Sequence, residues 1–327
     1  KSDPRSLQAQ LLLGSAYLSK GNFRRAQEAF EEMIKIAPNN AIGYYNVGRT
    51  LLVEKKWKEA LVQFEKALSL QPNFVDPLNL IVAVYVNQKE NRKAIERVET
   101  QIKAVPQNPF FYNMLGLLYE REKDLTKAET NFKKAIEVNP NIASLHITLA
   151  QFYIRQDKTE KGIEEYNASL QKDPNAIFPL MGLGMIYDIQ KKYDKAKENY
   201  QKILKINPKF APAANNLAYI YAEKGENIDE ALNLAQSAKE QSPDDPNISD
   251  TLGWIYYKKN VFNRAIIYLK EANEKIPNNP VIRYHLGMAY FKNGEKENAE
   301  KELKKALELD PKFPGAEEAK KTLTQIK

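Results

Sequence analysis

Apolar residues recur at spacings of three and four along the chain, in two segments that repeat from one end to the other. A proline closes each pair of segments. Successive prolines lie 34 residues apart from Pro38 to Pro208 and from Pro243 to Pro311, with one step of 35 residues between the two runs. A fixed period of this length indicates a repeat architecture. The pattern therefore predicts an all-α chain of helical hairpins, each ended by a proline that cannot continue a helix.

The period divides the chain into nine two-helix repeats. Small residues at the eighth and twentieth places, such as Gly116 and Ala128, predict a close approach of the two helices. In the third repeat Val82 stands at the eighth place, so its helices are expected to lie further apart. The predicted segments are a lead-in at 1–6, repeats at 7–40, 41–74, 75–108, 109–142, 143–176, 177–210, 211–245, 246–279 and 280–313, and a capping helix at 314–327.

Four places carry most of the signature, which the fourth repeat shows as Gly116, Tyr119, Phe132 and Pro140. Recurring nine times, this pattern resembles the tetratricopeptide repeat family across residues 7–313. The resemblance implies a right-handed superhelix, an α-solenoid, with the first helix of each repeat along the concave face. It also implies a scaffold that binds a partner polypeptide there.

Composition narrows the classes of partner. The 327 residues include 49 basic and 42 acidic side chains, a net charge of +7 that is spread along the chain. Lysine and glutamate mix on the predicted second helices, which is typical of a solvated face, and no nucleic acid is expected. No apolar run approaches the roughly 18 residues of a membrane span. The absence of cysteine excludes disulfides and thiolate metal sites.

The sequence offers no convincing catalytic constellation. Its two histidines, His146 and His285, are separated by four repeats and are expected to pack in the core or between repeats. Gly182 and Gly184 begin like a dinucleotide fingerprint, but Tyr187 follows where that fingerprint needs a small residue. We therefore expect no enzyme activity, no cofactor and no metal.

The resemblance assigns six places of each first helix to the groove. These places are apolar and aromatic, as interfaces favour, and asparagine among them can bond both N–H and C=O of an extended backbone. They also hold Asp188 and Asp250. The predicted partner-binding residues are Tyr45, Asn46, Arg49, Phe110, Asn113, Ile147, Phe178, Met181, Met185, Asn215, Asn216, Tyr219, Trp254, Tyr257, Tyr284, Met288 and Phe291.

The strongest part of this prediction is an exposed apolar strip in the last three repeats. Trp254 and Tyr257 lie three apart on one predicted helix, so they share a face. Met288 and Phe291 repeat the arrangement one repeat later, and Tyr219 precedes it. We expect these residues to bind the partner without belonging to the core.

A receptor of the carboxylate-clamp type, which holds chaperone C-termini, is disfavoured. That clamp needs lysine and asparagine in one repeat, asparagine in the next, and lysine and arginine in the third. The first repeat has Leu11 and Ser15 at these places, and the third has Asp76 and Leu80.

Residues 211–325 also resemble bacterial envelope tetratricopeptide lipoproteins of exosortase and exopolysaccharide systems. The resemblance rests on 215–219, 249–257, 282–287 and Phe313. It implies an alternative function as an envelope scaffold for exopolysaccharide assembly or export, with aromatic platforms for a glycan. It favours a periplasmic or envelope location slightly over the cytoplasm.

A third possibility is a self-assembling array. No cap precedes the first repeat, and Leu11 and Leu13 of its first helix are apolar. We expect the chain to be part of a longer array, and its N-terminal end to associate with other copies.

Overall fold

A computed structural model describes residues 6–326. Within this range the chain forms 19 α-helices and no strand. The predicted lead-in lies outside the described residues except for Ser6, as does Lys327 of the predicted cap. The all-α class expected from the period is therefore confirmed.

The chain divides into two compact bodies, an N-terminal body that ends at Lys172 and a C-terminal body that begins at Asp173. The helices of the N-terminal body are α1 (Leu7–Ser19), α2 (Phe23–Ile36), α3 (Ala41–Val53), α4 (Trp57–Leu70), α5 (Val75–Asn87), α6 (Asn91–Ala104), α7 (Pro109–Arg121), α8 (Leu125–Val138), α9 (Ala143–Arg155) and α10 (Thr159–Lys172). Those of the C-terminal body are α11 (Ile177–Ile189), α12 (Tyr193–Ile206), α13 (Ala211–Lys224), α14 (Ile228–Gln241), α15 (Pro246–Lys258), α16 (Phe262–Lys275), α17 (Pro280–Lys292), α18 (Lys296–Leu309) and α19 (Ala316–Ile326).

Each hairpin pairs an odd-numbered helix with the next even-numbered one through a glycine or alanine. A Cβ added to Gly116 would lie 2.7 Å from Cδ1 of Phe132, well inside van der Waals contact. Gly184 has the same relation to the ring of Tyr200. Helices α5 and α6 pack less closely than the two helices of any other hairpin, in agreement with the wider spacing expected from Val82.

Tyrosine hydroxyls connect neighbouring hairpins inside each body. Tyr119 on α7 donates to Glu99 on α6 over 2.9 Å, and Tyr153 on α9 donates to Glu129 on α8 over 2.9 Å. Burial, together with the Glu99 bond, raises the pKa of Tyr119 to about 12. In the C-terminal body Tyr221 of α13 accepts from Gln201 on α12. These bonds help to fix the register of one hairpin on the one before it.

The turn inside each hairpin contains a residue with left-handed backbone. Its amide donates back to the helix, as Lys123 N does to Glu120 O over 2.9 Å. Lysine is an unfavourable residue for this conformation, in which a side chain costs about 1–2 kcal/mol relative to glycine. The residues are Gly21, Lys55, Lys89, Lys123, Asp157, Lys191, Gly225, Asn260 and Gly294.

We predict that Lys123→Gly stabilises the fourth hairpin by about 0.5–1 kcal/mol, because glycine removes the steric penalty but increases the entropy of the unfolded chain. Native-state hydrogen exchange of α7 and α8 measures the change. Glu122→Gly is the matched control, because Glu122 has a φ of −77° and gains nothing from glycine. Equal effects of the two substitutions would contradict this account of the turn.

Candidate functional site

A pocket of about 260 Å³ opens between the odd-numbered helices α11, α13 and α15 of the C-terminal body. We call it the C-terminal pocket. Its walls combine amides, hydroxyls and carboxylates with apolar side chains. The lining residues are Met185, Asp188, Ile189, Tyr200, Asn215, Asn216, Tyr219, Asn247, Asp250 and Thr251.

A chain of polar groups holds Asn215 in this pocket. Asn216 Nδ2 donates to the hydroxyl of Tyr200 over 3.2 Å, and Asn215 Nδ2 donates to Asn216 Oδ1 in a long bond of 3.5 Å. The Tyr200 ring is fully buried, and burial raises the pKa of its hydroxyl to about 12. Asn215 is 9% exposed, and its Oδ1 is buried without any hydrogen-bond partner. The pocket therefore contains a buried acceptor that the protein itself leaves unused.

Two carboxylates lie at opposite walls. Asp188 on α11 is partly buried, and burial raises the pKa of its carboxyl. Among residues 6–326, no lysine, arginine or histidine side chain forms an ion pair with it. Asp250 on α15 is buried, and its Oδ1 lies 2.8 Å from His285 Nδ1. One wall thus carries an unpaired acid and the other an acid fixed by a histidine.

The rim of the pocket on α11 is apolar and exposed. Met185 is 48% exposed and Ile189 is 81% exposed. Phe178 and Met181 precede them at helical spacing, so the four residues share one side of the helix. We call this set the α11 strip. Exposed apolar groups of this kind usually mark an interaction site.

The exposure expected for the strip in the last three repeats is wrong for Trp254 and Met288, which are each 4% exposed. Tyr284, another predicted binding residue, is also buried, at 8%. The Trp254 ring stacks on His285 at 4.0 Å and on Tyr257 at 4.6 Å, and its Nε1 donates to Glu223. These are packing residues of the core.

The physical reason for this burial is the last helix. Phe313, Ala316 and Ala319 lie in the same apolar cluster as Trp254, and Thr322 of α19 contacts the sulfur of Met288 at 3.5 Å. Helix α19 covers the side of α17 that the sequence assigned to a partner. Tyr219 and Tyr257 pack against this cluster half-buried, and Phe291 is half-buried too.

In the N-terminal body, too, some of the predicted binding residues are buried and others are exposed. Asn46 is 3% exposed and uses its amide within α3, donating to Ile42 O over 2.9 Å and accepting from Arg49 over 3.1 Å. The expectation that its amide is available to a backbone guest is therefore wrong. Tyr45 packs half-buried against Phe74, with ring centroids 5.0 Å apart, whereas Arg49 is exposed.

The predicted residues of the fourth and fifth repeats differ in how exposed they are. Phe110 is 39% exposed, and Asn113 has a buried Oδ1 without a partner. Ile147 is half-buried. His146 is buried between Glu165 Oε2, at 2.7 Å, and Pro140 O, at 3.3 Å, which agrees with the packing role expected from the sequence.

Several residues of the C-terminal pocket are not apparent from the sequence pattern. Tyr200 stands on a second helix, at the place where an aromatic ring packs on a glycine, so the pattern predicts a core residue. Its hydroxyl is the distinguishing signal, because Phe64 and Phe132 at the same place have none. Ile189, Asn247 and Thr251 also line the pocket without a signal in the pattern.

Two further observations concern the described part of the chain. Within residues 6–326, no group of three or more histidine, aspartate and glutamate side chains is arranged to hold a metal ion. No helix in the same range combines the length and apolar character needed to cross a membrane.

Comparison with known families identifies the hairpins. Four family models, each described as tetratricopeptide repeat, match residues 3–73, 111–142, 189–255 and 280–313. These hairpins are tetratricopeptide repeats. Comparison with curated proteins gave no match.

Solved structures support the same fold. The Cut9–Hcn1 hetero-tetramer of the APC/C is similar with a TM-score of 0.57 and 16% identity, over 98% of this chain and 76% of that one. PilF of Pseudomonas aeruginosa has a TM-score of 0.54 and 18% identity, over 66% and 98% of the two chains. A tetratricopeptide repeat protein of Parabacteroides merdae has a TM-score of 0.50 and 22% identity, over 78% and 99%. At these identities the likeness concerns the tetratricopeptide solenoid fold alone.

We predict that Trp254→Ala lowers the local stability of α15, α17 and α19 by about 3–5 kcal/mol, as loss of a fully packed tryptophan does. Hydrogen exchange of these helices measures the loss. Ile189→Ala is the matched apolar control and should change little, because Ile189 is 81% exposed. Unchanged exchange in the Trp254 variant would show that the ring is not part of the core.

Proposed function

We propose that this tetratricopeptide repeat protein is a non-catalytic scaffold that binds an extended segment of a partner polypeptide in the C-terminal pocket. The observation that carries the proposal is the buried, unpartnered Oδ1 of Asn215. Leaving such an acceptor unsatisfied costs about 1–3 kcal/mol. A backbone N–H of a bound segment would remove this cost, so the pocket suits a peptide guest.

The pocket is also prepared for such a guest. Tyr200 holds Asn216, and Asn216 accepts a long bond of 3.5 Å from the amide nitrogen of Asn215, which favours one orientation of that amide. Groups fixed in advance lose less conformational entropy on association. The α11 strip beside them offers apolar surface to the side chains of the segment.

The lining groups suit recognition better than reaction. They are amides, hydroxyls and carboxylates in a wall of apolar side chains. The nearest histidine, His285, is buried under Trp254 and bonded to Asp250. A role as a scaffold agrees with this chemistry and with the fold.

An envelope scaffold for exopolysaccharide assembly or export remains a second proposal, resting on the likeness of residues 211–325 to envelope lipoproteins, as does a periplasmic or envelope location. The aromatic platforms expected for a glycan are Trp254, Tyr257 and Tyr219. Trp254 is buried and the other two are half-buried, which weakens this proposal. The peptide proposal has the better structural support.

Self-assembly is supported by α1, in which Leu12 is 66% exposed and Leu13 is 43% exposed. If another copy covers these side chains, light scattering should show association that increases with concentration. Replacing both leucines with glutamine should abolish it, because buried apolar area drives such contacts. A concentration-independent monomer would exclude this proposal.

The peptide proposal is tested with Asn215→Leu. We expect its thermal midpoint to equal or exceed that of the wild type, because the substitution removes a buried acceptor that has no partner. We expect binding of an extended peptide selected from a random phage-displayed library to weaken about tenfold or more, as loss of a buried hydrogen bond predicts. Fluorescence anisotropy with the labelled peptide measures the affinity.

Asn273→Leu is the matched control. Asn273 on α16 also has a buried Oδ1 without a partner, but it does not line the pocket. This variant should bind the peptide like the wild type. Full affinity in the Asn215 variant, or equal losses in both variants, would contradict the proposed site.

A further inference from the structure

We infer that the C-terminal pocket recognises a basic side chain, a lysine ammonium or an arginine guanidinium, of the segment that it binds. This inference rests on the proposed function and adds the chemistry of the partner. Asp188 on α11, Asn215 on α13 and Asp250 on α15 all line one pocket. Three successive odd-numbered helices thus contribute acceptors to the same small volume.

The environment of Asp188 favours a cation from outside the chain. Several acids elsewhere in the C-terminal body are paired with lysine, as Glu226 is with Lys197 at 2.7 Å and Asp244 is with Lys275 at 2.9 Å. Asp188 has no such partner among residues 6–326, although it is partly buried. Burial without a counter-charge disfavours the ionised form, in agreement with the raised pKa of this carboxyl. A bound ammonium or guanidinium would reverse that penalty.

Asp250 supplies the second carboxylate in a fixed position. Its Oδ1 is bonded by His285, whose buried ring stacks on Trp254 at 4.0 Å. A carboxylate has about four acceptor sites, so this bond leaves capacity on the side of the pocket. The buried Oδ1 of Asn215 between the two walls is an independent sign that a donor is missing.

The other walls of the pocket suit the aliphatic part of a lysine or arginine side chain. Met185 and Ile189 offer apolar surface to the methylene groups, which lysine and arginine commonly bury. The Tyr219 ring also lines the pocket, and aromatic faces attract cations. A metal ion fits less well, because no group of three metal-ligating side chains occurs among residues 6–326.

The charge of the whole chain makes this pocket distinctive. The protein carries a net charge of +7, yet its pocket contains two carboxylates and no basic group. General attraction of the chain would favour acidic partners. A preference for a basic residue would therefore be a local property of Asp188 and Asp250.

The test uses libraries of short peptides, acetylated and amidated at their ends, with random flanks and one fixed central residue. Lysine, arginine, norleucine and glutamate are compared at the centre, and binding to the full chain is measured by surface plasmon resonance. We expect lysine and arginine to bind at least about fivefold better than norleucine, as a partly buried ion pair predicts. The advantage should shrink as salt is added.

Asp188→Asn should reduce the advantage of lysine over norleucine toward unity. Asp194→Asn is the matched control, because it removes the same charge from a side chain of α12 that is 98% exposed. The control should retain the preference. Circular dichroism of each variant checks that the helices remain folded.

The outcomes separate this inference from the proposed function. If none of the libraries binds the wild type, the peptide proposal itself fails. If the libraries bind but lysine equals norleucine, or if the Asp188 variant keeps the preference, the basic-residue inference is overturned and the peptide proposal stands. If spermidine alone competes as well as the lysine library, the ligand is a free amine and the inference is also overturned.

Discussion

The close contact of two helices at a glycine is the constraint on which most of the hairpins depend. In the fourth repeat the ring of Phe132 occupies the space that a Cβ of Gly116 would need. This contact, which we call the seam of the hairpin, brings the two backbones together and places the large side chains on either side of it. Where Val82 widens the seam, the hairpin packs less closely. Because this seam and the tyrosine bonds between hairpins supply the packing, other first-helix places are free to carry polar groups.

The periodic part of this structure could be predicted from the sequence. Helices, seams and the wide third hairpin all follow from residue size at fixed spacing, which is a local property. The left-handed residue of each turn was not predicted, although it recurs at nearly the same period. Gly21 and Gly294 indicate such a conformation, but lysine at Lys55, Lys89 and Lys123 does not. Packing of the whole hairpin overrides the preference of that one residue.

The site was harder to predict, because a groove place is not the same as an exposed place. Trp254 and Met288 stand at groove places, yet both are buried in a cluster that includes Phe313 and residues of α19. That burial depends in part on a helix that follows the last repeat, which no local pattern reveals. The sequence assigns Tyr200 to the core alone. Its ring does lie in the core, but its hydroxyl reaches the pocket. Asn215 lines the pocket, whereas its role in binding stays a prediction.

A helix treats the two ends of an asparagine amide differently, and this difference explains why the amide oxygen of Asn46 has a donor whereas that of Asn215 has none. Beyond the first turn, backbone N–H groups are already used, but carbonyl oxygens have a second lone pair. An amide nitrogen can therefore bond the carbonyl four residues earlier, as Asn46 and Asn199 do. The amide oxygen must find a donor elsewhere. Arg49 supplies it for Asn46, whereas Asn113 and Asn215, both at the fifth place of a first helix, have none. An extended backbone is rich in N–H groups and can donate to acceptors that are left in this way on first helices.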